Sequence, residues 1–73
     1  MSAPKKVKRA NLITTVTLPG ISLESLTNET KDVKNLQWIV ADPTLGTGLT
    51  FVDKQGCQQF VPMSNVRNVQ FEK

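Results

Sequence analysis

Apolar residues in this chain come in short runs that alternate with polar ones and stop at turn-forming residues. A period of two suits a strand with one buried face, and no stretch keeps a helical period long enough to compete. Leu12, Thr14, Val16 and Leu18 share one face of a first strand, expected from about Ala10 to Leu18 and stopped by Pro19-Gly20. Leu36, Trp38 and Val40 share a face of a second strand that ends at Asp42-Pro43. Leu49 and Phe51 point the same way in the returning strand. Asp53-Lys54-Gln55-Gly56 reads as a type I turn closed by a glycine bulge, from which Cys57 to Val61 pairs back. Pro62-Met63-Ser64-Asn65 reads as a tight 3₁₀-like corner. A last strand then carries Val69 and Phe71 inward.

Residues 21–35 fit two readings. Ile21, Leu23 and Leu26 cover an edge of the core, and Thr27 to Lys34 make either two helical turns or a polar excursion between strands. The expected class is therefore mainly β, with five antiparallel strands. A chain of 73 residues supports one small core only. A sheet this small must bend on itself or find a partner to shield its edges and its apolar face. A closed barrel does both.

The element order resembles the small SH3-like barrel, in which a variable first loop precedes three meander strands, a 3₁₀ turn and a short terminal strand. The residues that carry the resemblance are 38–41, 49–53, 56–62 and 63–66 with Val69-Gln70-Phe71, so it covers about residues 10–72. It implies binding to single- or double-stranded nucleic acid, to peptides or to large machines. An OB-like or open-sheet arrangement fits the same order. The compact, cysteine-poor composition also resembles that of bacteriophage accessory proteins, which implies a host cytoplasm.

Charge is unevenly spread. Lys5, Lys6, Lys8 and Arg9 lie within the first ten residues with no acid among them; beyond residue 10 there are five basic and six acidic residues. Residues 1–9 thus read as a flexible basic arm, because repelling charges and scant apolar content do not repay the entropy of ordering. Residues 10–73 read as the folded domain. The arm suits phosphate contacts on DNA or RNA, a solubilising tail, or an import signal in Pro4 to Arg9. Lys34, Lys54 and Arg67 extend the positive surface if the fold gathers them, and Phe60 is the candidate platform for stacking an unpaired base.

Catalytic chemistry has few carriers here. The chain has no histidine and one cysteine, which rules out His-dependent triads, imidazole ligands and an internal disulfide. Cys57 is expected as a core or boundary residue, and Asp42 and Asp53 as turn formers. Gly46-Thr47-Gly48 lacks the lysine and helix start of a phosphate loop. Asn28-Glu29-Thr30 matches a glycosylation sequon by spacing alone. Phe51 and Phe71 are expected in the core, Trp38 and Phe60 less completely. No cofactor and no metal site are expected, no apolar run spans a bilayer, and an intracellular, cytoplasmic setting follows from the lone thiol.

The leading function is non-catalytic nucleic-acid binding by the arm and one barrel face. The alternatives are a module that docks on an acidic protein surface and modulates an enzyme such as RNA polymerase, and a homo-oligomeric assembly protein.

Overall fold

Residues 4–72 are described by a computed structural model; residues 1–3, the start of the expected arm, and residue 73 lie outside the described residues. Six strands form: β1 (Lys5–Leu18), β2 (Ile21–Thr27), β3 (Lys34–Asp42), β4 (Gly46–Val52), β5 (Gln58–Pro62) and β6 (Val66–Phe71). A 3₁₀ turn, Met63–Asn65, joins β5 to β6. All ladders are antiparallel, in the order β2-β1-β3-β4-β5, with β6 pairing on β1.

The expectation of a mobile basic arm is corrected here. Lys5 to Arg9 are the first five residues of β1, and Val7 among them is fully buried. Strict alternation would put Arg9 on the same face as Val7, or Lys8 on the same face as Ala10. The β1–β6 register slips between Val7 and Arg9, so an extra residue is accommodated and Val7 and Ala10 both face inward. Lys8 and Arg9 then project consecutively into solvent. One buried valine and an irregular register thus order a segment that its charges alone would leave loose. The folded domain starts at Lys5, not at residue 10.

Residues 21–27 form a strand, not a loop or helix. Leu18 pairs with Ile21 across the two-residue Pro19-Gly20 turn, and Leu26, opposite Ala10, is fully buried. The segment after it, Asn28 to Val33, is a turn with Val33 buried. No helical turns form there, because Thr27 instead accepts twice locally, its hydroxyl receiving the Glu29 N–H at 3.3 Å and its carbonyl the Thr30 hydroxyl at 3.4 Å.

β3 carries two irregularities, between Lys34 and Gln37 and between Ile39 and Asp42. A residue with positive φ lies in each, Asn35 at 57° and Ala41 at 55°. Asparagine tolerates that conformation; alanine adopts it at a cost of about 1–2 kcal/mol. The Ala41 N–H is held by the Thr47 hydroxyl at 3.0 Å. These kinks curl β3 and β4 around the core. Across the sheet, Gly48 faces Pro62, and the Phe60 ring lies over the bare glycine: a Cβ there would sit 3.0 Å from two ring carbons and overlap the Val61 carbonyl oxygen. β5 ends at Pro62 on the open side of β4, where a missing N–H is tolerated.

The sheet does not close. It is an open half-barrel whose edges stay 10 Å apart, which overturns the closed five-stranded SH3-like barrel. β5 is only five residues long, and after the 3₁₀ turn the Asn65 side chain occupies β1 in place of further ladder. Its Oδ1 accepts from the Thr14 N–H at 2.9 Å and from the Thr14 hydroxyl at 2.7 Å, while its Nδ2 donates to the Thr14 carbonyl. Thr14 therefore stands exposed rather than inward, unlike Leu12 and Leu18 on either side.

The core is Val7, Ala10, Leu12, Leu18, Leu26, Val33, Leu36, Leu49, Phe51 and Val61, with Trp38, Val66 and Val69 packed at its margin. Burying a side chain such as Phe51 or Leu36 contributes about 1.5–3 kcal/mol. Phe71 departs from expectation: it shares a face with Val69 yet, as the last residue of β6, is 45% exposed. Val40, also expected inward, is exposed within the β3 irregularity between Ile39 and Asp42. Cys57 is an exposed free thiol in the loop before β5, not a core residue.

The Asp53–Gly56 turn forms as expected. The Gly56 N–H donates to the Asp53 carbonyl at 3.0 Å, and Gly56 takes φ 83°. The buried Asp53 carboxylate accepts from the backbone amides of Gln55 and Cys57 and from the Gln59 side-chain amide. The Gln59 bond most strongly holds this carboxyl below its ordinary value of 3.8; burial opposes, and the two backbone bonds add to the lowering.

Two outcomes follow. Gly48→Ala is expected to destabilise the fold by about 1–3 kcal/mol, read from the midpoint of urea unfolding, because the new methyl meets backbone. Asp53 stabilises the native state when ionised, so its contribution is complete above pH 3.8 and is lost as pH falls through its lower folded value. Asp53→Asn should flatten that acid limb in thermal melts carried from neutral pH to below 3.8.

Candidate functional site

β1 positions the basic residues by sharing its two edges among three strands. Along one edge it pairs with β3 at Lys5 and Lys6 and with β2 from Arg9 onward. Along the other it pairs with β6, from Val7 opposite Phe71 to Leu12 opposite Val66. Neither β2 nor β3 reaches Val7 on the first edge. Asn28 fills that gap: its Nδ2 donates to the Val7 carbonyl at 3.0 Å, and its Oδ1 accepts the Leu36 N–H at 2.9 Å. One side chain thus ties the β2–β3 loop to β1 and β3, next to the register slip that carries Lys8.

Three adjoining hollows surround this joint. The first, of 420 Å³, has Lys6 and Lys34 in its walls with Asn28, Gln37 and Glu72. The second, of 620 Å³, is lined by Lys8, Phe71, Asn28, Glu29, Gln70 and Glu72. The third, of 190 Å³, has Lys8 and Arg9 beside Thr27, Glu29 and Gln70. Asn28 and Glu72 are common to the first two, and Lys8, Thr27, Glu29 and Gln70 to the last two. Together they form one shallow trough, which four cations line against two carboxylates. Gathering like charges here opposes folding, though salt screens exposed charges beyond about 8 Å.

Lys5 sits at the edge of the trough rather than in it. Its ammonium lies 5.8 Å from the centroid of the Phe71 ring, within the range of a cation–π contact.

The other expected site residues are dispersed. Lys54 lies beside the β1–β2 turn, where a Cβ on Gly20 would be 3.3 Å from its Nζ. Arg67 lines a separate hollow of 360 Å³ with Asn11, Ile13, Glu24 and Ser25. Phe60 is half-buried over Gly48 and presents no free platform. The expected positive surface therefore holds Lys6, Lys8, Arg9 and Lys34, while Lys54, Arg67 and Phe60 fall elsewhere.

Sequence reasoning missed Phe71, Asn28 and Gln70. Asn28 entered as part of a sequon, yet its amide nitrogen donates to the Val7 carbonyl. No sequence signal marks Phe71 as exposed, since its alternation with Val69 points inward. Among the described residues, no three His, Cys, Asp or Glu side chains gather as metal ligands, and no helix is long and apolar enough to cross a membrane.

Comparison with family models, curated proteins and solved structures finds no match. With the sheet open and no relative found, neither the resemblance to SH3-like barrels nor that to bacteriophage accessory proteins is upheld. What the fold defines is a small, mainly β domain with an open half-barrel sheet.

Asn28→Ala removes both bonds at the joint and leaves the Val7 carbonyl and Leu36 amide short of partners. It is expected to cost about 1–3 kcal/mol of stability. Amide hydrogen exchange should speed up at Leu36 more than at Phe51 in the distant β4.

Proposed function

We propose that this protein is a non-catalytic nucleic-acid-binding domain whose contact surface is the folded trough of Lys6, Lys8, Arg9 and Lys34. The observation that carries the reading is the convergence of these four cations, from β1 and β3, on one continuous concavity. A preformed basic surface binds phosphates without the ordering cost that a loose arm incurs. Glu29 and Glu72 in the same walls oppose anions, which favours a register of phosphates along the cations over diffuse attraction. The side-chain amides of Gln37 and Gln70 supply neutral donors and acceptors between the charges. The exposed thiol of Cys57 supports a reducing compartment, the cytoplasm.

The test is the salt dependence of oligonucleotide affinity, measured by fluorescence anisotropy. If all four cations neutralise phosphates of a single strand, log K against log salt should have a slope of about −3. Lys6→Gln, Lys8→Gln, Arg9→Gln or Lys34→Gln should each shallow it by about 0.7. Lys54→Gln and Arg67→Gln, remote from the trough, should leave it unchanged. Equal effects from all six substitutions would reduce the binding to bulk charge. No binding at low salt would defeat the proposal, and docking on an acidic protein surface or self-assembly would then have to carry the function.

A further inference from the structure

We infer that the trough takes an unpaired strand of DNA or RNA, with one base stacked on Phe71. This deepens the nucleic-acid reading and rests on it. Phe71 is a large aromatic left 45% exposed at the end of the last strand, and it lines the 620 Å³ hollow that also carries Lys8. The exposed part of the ring is surface that the core does not use. An aromatic ring beside lysines meets the two demands of single-strand binding, a π-surface for a base and cations for the phosphates on either side of it. A duplex satisfies only the second demand, because its bases are already stacked and turned inward.

The surroundings of the ring agree with this role. Lys5 stands over Phe71 at 5.8 Å but does not line the hollow. Its ammonium would pair with a phosphate flanking the stacked base. Gln70, next in the chain and exposed on β6, offers an amide to the base edge from the wall of the same hollow. Asn28 does not take part as a reader: its nitrogen and oxygen are both committed to the backbone of β1 and β3. Phe60, the other exposed-aromatic candidate, is engaged over Gly48. The stacking contact therefore belongs to Phe71.

The experiment separates bases from phosphates. Anisotropy titrations use four probes of equal length: dT12, rU12, a 12-residue abasic DNA strand and a 12-base-pair duplex. The full chain should bind dT12 or rU12 roughly tenfold more tightly than the abasic strand at the same salt. Phe71→Ala should remove most of that preference while leaving the salt slope and the duplex affinity unchanged. Phe71→Trp should keep or raise it, which guards against a trivial loss of folding; thermal melts of both variants verify the fold. Equal affinity for dT12, rU12 and the abasic strand overturns the stacking inference and leaves the phosphate reading standing. So does a Phe71→Ala variant that keeps the full preference. Failure of all four probes to bind overturns both.

Discussion

The structure depends on β1 being shared. A single 14-residue strand pairs with β2, β3 and β6, so β4 is referenced to it at one remove and β5 at two. Such sharing needs each backbone polar group along both edges to find a partner, even where one neighbour ends before the next begins. Two asparagines serve the gaps. Asn28 bridges β1 to β3 where β2 stops, and Asn65 occupies Thr14 beyond the β6 ladder. Each side-chain amide presents a donor and an acceptor with the spacing of a peptide group, so it substitutes for a missing residue of strand.

That arrangement also explains why the basic segment is ordered. Lys5, Lys6, Val7 and Arg9 have ladder partners in β3 or β6, and Val7 is anchored in the core. Backbone pairing and one buried valine offset the repulsion among the cations. The register slip near Lys8 then separates apolar from charged side chains without sacrificing either. The charge ends up concentrated on a surface instead of distributed along a tether, and a rigid surface presents phosphates with a defined geometry where a tether presents only attraction.

The incompleteness of the sheet has the same source. With β1 consumed on both edges and β5 halted at Pro62, no ladder remains to bring the ends together. The core stays small and its rim stays open, leaving Phe71 and Val40 uncovered. In a closed barrel both side chains would be packing residues. Here one of them adjoins the cationic trough, so the architecture that weakens the core also exposes an aromatic ring where phosphate-binding charge collects.

Much of this was legible locally. The alternation of Leu49 and Phe51 foretold their burial, and Asp42 and Asp53 take the turn roles expected of them. Asp42 accepts from the Thr44 and Leu45 amides, and Asp53 from those of Gln55 and Cys57. Strand class and turn chemistry are decided by residues within a few positions of one another, so the linear order suffices. The β2 strand escaped because Ser22, Glu24 and Ser25 dilute its pattern until Leu26 meets Ala10 across the ladder. What only the tertiary structure decided was which segments pair with β1, and hence that the basic run is a strand, that Lys6, Lys8 and Arg9 of that run meet Lys34 in one trough, and that Phe71 is exposed. Those outcomes are set by contacts between residues dozens of positions apart, and a register slip of one residue reverses a side chain's face; nothing in the local alternation carries that information.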